Sequence, residues 1–278
     1  MTVLIALLLG LVQGITEFLP VSSSGHLAVL QNFMNVQEPD LLFEVLVHMG
    51  TLVSIFVVYR IEVRDMIRDG LEYIRFKADS NADEPVSLKP PGRALLFVFI
   101  GTLPMFVAVF FVSSIESLFF NTFFIGFAFL ITGGLLYVSS RFIKQGNKTD
   151  KTMTSADALI IGLAQAVALL PGLSRSGTTI AVGLARGLNG AFAVRFSLLL
   201  SIPAVLGATI VTFYRAITEG ADFSMMHAYI AGFVVAAGVG YFAIQFIRRI
   251  IGRRSFGNIA YYCWGIGIVT IIWSLIRL

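Results

Sequence analysis

Apolar residues form long runs along the chain, and short polar stretches separate them. Six runs can form a helix of about 20 residues, the length that crosses a hydrocarbon core of about 30 Å. The runs are continuous and do not alternate with polar positions, so they favour membrane-spanning α-helices over the strands of a β-barrel. The predicted spans lie near 41–60, 94–113, 119–139, 192–213, 228–247 and 259–277.

Two further apolar regions, 3–34 and 158–188, are interrupted by residues that break helices. Pro20 and a serine run interrupt the first region, and Pro171-Gly172 and a second hydroxyl-rich run interrupt the other. Each half has about 10–16 residues, which is too short to cross the membrane. Interrupted segments in corresponding places are typical of re-entrant hairpins at a binding site. The sequence therefore predicts an all-α polytopic membrane protein of about ten helices, with six transmembrane helices and two re-entrant hairpins.

Composition excludes the soluble classes of protein. Of 278 residues, 57% are hydrophobic and 13% are charged, whereas soluble domains carry about 25% charged residues. Disorder is excluded as well, because it requires low hydrophobicity. The net charge of +4 suits basic inside loops and does not indicate nucleic-acid binding. Cys263 is the only cysteine, so it forms no internal disulfide, and we expect it to pack within an apolar helix.

Basic residues orient the predicted spans. Lys and Arg concentrate in three stretches, 60–93, 141–157 and 248–258, and are nearly absent from the loops between them. By the positive-inside rule these stretches are cytoplasmic and both chain termini lie outside. The first hairpin then enters from outside and the second from inside, so the two units are inverted relative to each other.

Weak internal similarity supports two repeats within one membrane domain, 1–278. Repeat 1 covers about 1–140 and repeat 2 about 155–278, each beginning with its hairpin. Inverted hairpins bring their tips together near the membrane midplane. At an offset of 152 the identical pairs are Gly10/Gly162, Leu11/Leu163, Gln13/Gln165, Ser22/Ser174, Ser24/Ser176 and Gly25/Gly177.

The first tip carries an acid, an amide, three hydroxyls and a histidine. Gln13 and Glu17 are four residues apart and share one helix face. An ionised side chain in an apolar segment is costly, so we expect Glu17 to face a cavity, a divalent cation or an opposite charge. The serines at 22–24 either satisfy the backbone at the break or react, with His26 placed to move a proton.

The second tip carries a guanidinium at the start of a helix. Arg175 suits bidentate recognition of phosphate, and the run 176–179 opens a helix whose amides and dipole attract anions. Arg175 can also simply neutralise Glu17. Taken together, the two tips hold what phosphoryl transfer requires, and their place in a bilayer indicates a substrate with a lipid tail.

At these residues the sequence resembles the undecaprenyl-diphosphatase family, also called the bacitracin-resistance protein family. Gln13 and Glu17 meet a pattern of Glu or Gln, three residues, then Glu. Residues 20–26 read Pro-Val-Ser-Ser-Ser-Gly-His, and residues 171–177 read Pro-Gly-Leu-Ser-Arg-Ser-Gly. Both motifs occur in the family's order, and the resemblance covers essentially the whole chain.

The resemblance implies hydrolysis of undecaprenyl diphosphate to the monophosphate with a divalent metal, Mg²⁺ or Ca²⁺. This reaction recycles the lipid carrier for peptidoglycan in the bacterial inner membrane and confers bacitracin resistance. Many family members have Glu where this chain has Gln13, and we expect Glu44 to supply the missing charge. The functional positions that the resemblance carries over are Gln13, Glu17, Ser22, Ser23, His26, Ser174 and Arg175.

The resulting hypothesis gives each of these residues a role. Glu17, with Gln13 and Glu44, holds the metal, and His26 moves the proton. Ser23 attacks the terminal phosphorus, or Ser22 does so if the tip turns the other way, and direct attack by water with His26 as base fits the same residues. The diphosphate is bound by Ser174, Arg175, Ser176, Gly177 and Thr178.

Three other interpretations of the sequence compete with this hypothesis. Inverted hairpins also occur in transporters, so a transporter or lipid flippase is the main alternative. An acid-phosphatase-type lipid phosphatase lacks support, because Ala181 stands where its second histidine is required. A lipid-binding scaffold is the third. The expected partners are a prenyl diphosphate and membrane lipids, with a homodimer left open, and the site is expected to open outward.

Overall fold

The computed structural model describes residues 2–34, 41–78, 89–111, 118, 121–142, 146–218, 220, 223–251 and 254–276. Within these ranges the chain is all-helical, and the only β pairing is an isolated bridge between Lys148 and Leu188. The described ranges hold ten α-helices, as the sequence predicts. They are α1 (Val3–Phe18), α2 (Ser23–Phe33), α3 (Leu41–Ala78), α4 (Pro90–Ala108), α5 (Thr122–Phe142), α6 (Ser155–Val167), α7 (Arg175–Ala185), α8 (Gly190–Thr218), α9 (Met226–Ile250) and α10 (Arg254–Ile276).

Six of these helices, α3, α4, α5, α8, α9 and α10, are long and apolar enough to cross a membrane. This confirms the six predicted spans, although α3 is much longer than its apolar run. Helix α3 has a non-helical residue at Tyr59 and continues to Ala78. Arg68 interacts with Asp65, Asp69 and Glu72 on that polar extension. The first half of the predicted polar loop 60–93 is therefore helical, and residues 79–88 lie outside the described residues.

Two pairs of short helices occupy the interrupted regions. Helices α1 and α2 have 16 and 11 residues, and α6 and α7 have 13 and 11. At 1.5 Å per residue none of them reaches about 30 Å. We call residues 19–22, between α1 and α2, the first break, and residues 168–174, between α6 and α7, the second break.

Each short pair packs by a glycine contact onto a long helix from the other half of the chain. A Cβ atom on Gly10 of α1 would lie 2.5 Å from the carbonyl oxygen of Gly232 in α9. A Cβ atom on Gly162 of α6 would lie 2.2 Å from the carbonyl oxygen of Gly101 in α4. Small residues let helix backbones approach closely in a membrane, where packing drives association. These two contacts hold α1 and α6 in place beside the site described below.

A buried aspartate ties the two ends of the second short pair together. Asp157, in the first turn of α6, has no exposed surface and forms a capping box with Thr154. Its carboxylate also accepts hydrogen bonds from Lys148 at 2.9 Å and from Arg186 at 2.9 Å. Arg186 directly follows α7, so Asp157 joins the start of α6 to the end of α7.

Replacing Asp157 with asparagine is expected to make the protein less stable at neutral pH. Burial alone would raise the pKa of Asp157, but hydrogen bonds from Lys148, Thr154 and Arg186 lower it from 3.8 to about 2. The stabilisation is therefore complete above the ordinary pKa and is lost as the pH falls through about 2. Asp157→Asn should lower the free energy of unfolding by about 1–3 kcal/mol at pH 7, measured by thermal unfolding in detergent.

The matched control is Asp150→Asn, because Asp150 is only half-buried and bonds to Arg195 at 3.1 Å. The Asp150 variant should lose much less stability. The difference between wild type and Asp157→Asn should also shrink as the pH is lowered from about 4 towards 2. Equal losses in the two variants, or a difference that does not change with pH, would contradict this account.

Candidate active site

The first break is organised by a serine that caps α2. Ser22 adopts φ 71° and ψ 98°, a region that costs a residue with a side chain about 1–3 kcal/mol. Its hydroxyl oxygen accepts the Gly25 N–H at 3.3 Å and lies 3.4 Å from the Ser24 hydroxyl. The Ser22 hydroxyl is thus occupied by the helix cap, whereas Ser23 directs its hydroxyl towards Glu17.

The second break has an equivalent serine cap, although the backbone of its capping residue, Ser174, is extended, with φ −74° and ψ 115°. Gly172 has φ +82°, and Ser174 caps α7 by accepting the Gly177 N–H at 3.0 Å. The Ser174 and Ser176 hydroxyls lie 3.3 Å apart, and the Thr178 N–H donates to the Ser174 carbonyl at 2.9 Å. The amides of Gly177 and Thr178, expected from the sequence to face an anion, therefore serve the cap in this structure.

The two breaks and the helix ends beside them pack against each other. A Cβ atom on Gly25 would lie 3.1 Å from the Gly172 Cα. The Ser176 hydroxyl donates to the Leu19 carbonyl at 3.2 Å. The guanidinium of Arg175 forms an ion pair with the carboxylate of Glu17. Residues that are 158 positions apart in sequence are thus neighbours, and the acid of one tip faces the guanidinium of the other.

The carboxylate of Glu17 accepts hydrogen bonds from three side chains. Arg175 donates to Oε1, while Gln13 and Ser23 donate to Oε2 at 3.0 and 2.6 Å. Glu17 is only 7% exposed, and a buried carboxylate is tolerated when its charge is paired and hydrogen-bonded. Gln13 and Glu17 share one helix face, as their spacing of four residues predicts, and the amide of Gln13 therefore donates a hydrogen bond to the carboxylate of Glu17.

His26 lies beside the first break, but its ring nitrogens do not bond to a serine hydroxyl. Nδ1 is 2.7 Å from the Ser22 carbonyl oxygen, and Nε2 is 2.8 Å from the Tyr262 hydroxyl. The edge of Phe129 packs on the ring, with centroids 4.9 Å apart. His26 is therefore close to the predicted nucleophiles, and its two ring nitrogens are held by the backbone and by α10.

The site offers oxygen ligands to a divalent cation, but few of them. The Gln13 Oε1 atom is buried without a hydrogen-bond partner among the described residues, while the Nε2 atom of the same amide contacts the carboxylate of Glu17. Hard cations such as Mg²⁺ accept carboxylate and amide oxygens and keep several waters. No group of three His, Cys, Asp or Glu side chains with metal-binding geometry occurs in the described residues. The donor set fits a cation that shares its coordination with substrate oxygens and water.

Three residues at the site have no role in the hypothesis drawn from the sequence. Tyr262 bonds to His26, the Thr132 hydroxyl accepts the Ser174 N–H at 3.1 Å, and His48 lies within electrostatic range of Glu17. His48 and Glu44 are four residues apart on α3, and His48 Nδ1 lies 2.8 Å from the Glu44 carbonyl. None of the three has a motif of its own, since each belongs to an apolar span and reaches the site only through long-range packing.

Fold and site together define a multi-pass helical membrane protein that holds a charged, hydroxyl-rich site between two broken helix pairs. Residues 6–269 match the family described as bacitracin resistance protein BacA. The chain is 40% identical to an undecaprenyl-diphosphatase of Methanobrevibacter smithii over the full length of both chains. It is 38% identical to an undecaprenyl-diphosphatase of Carboxydothermus hydrogenoformans, covering 96% of this chain and 95% of the relative. The chain belongs to the bacitracin resistance protein BacA family.

Proposed function

We propose that the protein hydrolyses undecaprenyl diphosphate to undecaprenyl phosphate and inorganic phosphate. This reaction recycles the lipid carrier for peptidoglycan synthesis and confers resistance to bacitracin. The proposal is supported by the names of the relatives, which are undecaprenyl-diphosphatases over essentially the same length. The observation that carries it is the buried contact of Glu17 with both Arg175 and Ser23. That contact joins an anion-binding group, a carboxylate and a hydroxyl nucleophile.

In the proposed reaction, the guanidinium of Arg175 leaves the carboxylate of Glu17 and binds the diphosphate of the substrate. The guanidinium can bind two phosphate oxygens at once, and the exchange replaces one anionic partner by another. Ser176 and Thr178 lie in the first turn of α7 beside it, and the Thr178 hydroxyl is buried without a partner among the described residues. The start of α7 thus offers the Thr178 hydroxyl and a helix dipole to the terminal phosphate.

Ser23 is the nucleophile in this proposal. Its oxygen forms a bond to the terminal phosphorus, the bond from that phosphorus to the bridging oxygen breaks, and prenyl monophosphate leaves. The Ser23 proton passes to Glu17, whose Oε2 already accepts it at 2.6 Å. Water then hydrolyses the phosphoserine, with His26 Nε2 receiving the water proton and Glu17 returning its proton to Ser23. Direct attack by water with His26 as base remains the second form of the proposal.

We propose Mg²⁺ or Ca²⁺ as the cofactor, held by Glu17 and Gln13, with Glu44 as a further carboxylate on α3. The support is the donor set described above, in particular the unpartnered amide oxygen of Gln13. Such a cation, when bound, would neutralise negative charge on the diphosphate oxygens. Gln13 is neutral, so we expect the affinity for the cation to depend chiefly on Glu17.

The prenyl chain is assigned to an apolar cleft beside His26. The cleft has a volume of about 240 Å³ and lies between α1, α2 and α10. Its position fits an amphiphilic substrate, because His26 forms one wall and the other walls are apolar. A diphosphate at Arg175 would therefore have its lipid tail leave the site on this side. The residues that line the cleft are Val12, His26, Val29, Leu30, Phe33 and Ile266.

The proposed topology is an inverted repeat with two re-entrant hairpins, α1–α2 and α6–α7. Two observations support it. The serine caps at Ser22 and Ser174 have the same hydrogen bonds at the repeat offset of 152. The glycine contacts of Gly10 and Gly162, at the same offset, link each short pair to the opposite half of the chain. We further propose an inner-membrane location, outside termini and a site open to the outer face, on the basis of the charged stretches.

Purified protein in detergent is expected to release phosphate from undecaprenyl diphosphate in a metal-dependent reaction. Chelation with EDTA should abolish the release, and Mg²⁺ or Ca²⁺ added afterwards should restore it. The measurement is inorganic phosphate against time, with undecaprenyl phosphate identified as the lipid product.

A transporter or flippase predicts a different result. Protein that is folded by its thermal transition, releases no phosphate with either cation, and moves lipid across proteoliposome membranes would contradict the proposed enzyme. The membrane-free assay separates the two functions, because hydrolysis needs no second compartment.

A further inference from the structure

Tyr262 contacts His26 from the last helix of the chain. The Tyr262 hydroxyl lies 2.8 Å from His26 Nε2, and the two rings are nearly parallel, with an angle of 4° and centroids 5.7 Å apart. The neighbouring Cys263 is fully buried, with its sulfur 3.7 Å from the Pro20 carbonyl. Helix α10 is thus packed against the first break at the point where Tyr262 reaches the histidine.

The hydrogen bonds of His26 assign its tautomer. The partner of Nδ1 is the Ser22 carbonyl oxygen at 2.7 Å, and a carbonyl oxygen only accepts. Nδ1 of the neutral ring therefore carries the hydrogen, which leaves the lone pair on Nε2. The Tyr262 hydroxyl is consequently the donor to Nε2, so the nitrogen that can accept a proton during catalysis is the one that Tyr262 holds.

Three contacts hold the ring of His26 in the observed orientation. Phe129 packs its edge against one side, the Ser22 carbonyl holds Nδ1, and Tyr262 holds Nε2. A histidine that is fixed through its second nitrogen keeps one tautomer and one orientation, a recurrent arrangement in catalytic sites. Here the roles are shared between a backbone carbonyl and a tyrosine hydroxyl, without a carboxylate.

We propose that Tyr262 is a positioning residue for catalysis, which keeps Nε2 of His26 unprotonated and holds the ring in one orientation beside the first break. When the reacting water enters, the hydrogen bond between the Tyr262 hydroxyl and His26 Nε2 breaks, and Nε2 receives the proton of the water. The inference rests on the proposed function only through the proton-transfer role of His26. The assignment of tautomer and orientation is independent of any reaction.

Tyr262→Phe tests the kinetic part, since it keeps the ring and removes only the hydroxyl. We expect kcat to fall about tenfold with KM changed less than about twofold. Combined with His26→Ala, the Phe substitution should cause no further loss, because Tyr262 acts through His26. Tyr261→Phe is the control, since Tyr261 is exposed and packs on Tyr137 and Trp264 instead. Its kcat should equal that of wild type.

A spectroscopic readout tests the tautomer without using activity. The chain has only three histidines, so ¹⁵N-histidine labelling gives few ring-nitrogen signals in an NMR spectrum. The two signals that disappear in His26→Ala are those of His26. Wild type should show one Nδ1–H tautomer, and Tyr262→Phe should shift the Nε2 signal or mix the tautomers, whereas Tyr261→Phe should not. An unchanged His26 signal together with wild-type kcat in Tyr262→Phe would overturn the inference. If wild type lacks phosphatase activity but the His26 signal moves, the proposed function fails and the positioning role stands.

Discussion

Replacement of Arg175 by lysine is expected to lower phosphate release by about 10²- to 10³-fold. Removing one preorganised donor to a developing oxyanion typically costs that much. Lysine keeps the positive charge but loses the planar fork that binds two phosphate oxygens together. It is also the milder change for the fold, because Glu17 is 7% exposed and a neutral residue at position 175 would leave that carboxylate buried without a countercharge.

The loss in Arg175→Lys should be one of substrate recognition. Inorganic pyrophosphate is therefore expected to inhibit Arg175→Lys more weakly than it inhibits wild type, whereas the thermal unfolding midpoint of the variant should change little. Arg195→Lys is the matched control, because Arg195 forms an ion pair with Asp150 at 3.1 Å and lies on α8, outside the two breaks. If Arg175→Lys keeps wild-type turnover and pyrophosphate inhibition, Arg175 serves only to neutralise Glu17.

The six spans and two short pairs were predictable because membrane thickness imposes helix length. Pro20 and Pro171-Gly172 mark interruptions that shorten the neighbouring helices to 11–16 residues. Helix ends were less predictable, as α3 shows. The apolar window ends near 60, but the helix continues to Ala78. Along this extension, charged side chains three and four residues apart form ion pairs that stabilise the helix.

Within the candidate site, the local relations were predictable from the sequence. The pair Gln13 and Glu17 followed from helical periodicity, and the meeting of Glu17 with Arg175 followed from the cost of isolated charges in an apolar segment. The choice between Ser22 and Ser23 did not follow. It depends on the backbone of Ser22 at φ 71°, which turns one hydroxyl into the cap and the next one towards Glu17.

Contacts between segments that are distant in sequence could not be predicted from the periodicity of apolar residues. Tyr262 is 236 residues from His26 and lies in an apolar span where a tyrosine is ordinary. The bond of Asp157 to Arg186 likewise depends on how α6 and α7 pack against each other. Such pairs are set by tertiary packing, and a single sequence holds no local mark of them.

Glu17→Gln is expected to remove phosphate release almost completely, by about 10³-fold or more. The amide has nearly the shape of the carboxylate, but it loses the charge that pairs with Arg175 and the oxygen that receives the Ser23 proton. Loss of a catalytic acid or base alone typically costs about 10²- to 10⁴-fold, and here one substitution removes the base and the proposed metal ligand together. Phosphate release from undecaprenyl diphosphate, measured with saturating Mg²⁺ or Ca²⁺, is the first readout.

The second readout separates the metal ligand from the base. A cation that binds the folded protein raises its unfolding temperature by mass action, so Mg²⁺ or Ca²⁺ should stabilise wild type and not Glu17→Gln. Glu72→Gln is the control, because Glu72 is 57% exposed on the polar extension of α3, and it should retain both activity and cation-induced stabilisation. If Glu17→Gln is inactive yet still stabilised by the cation, Glu17 is not a metal ligand, and the ligands should then be sought at Glu44 and elsewhere on α3. One that keeps turnover within tenfold of wild type would remove Glu17 from the chemistry altogether.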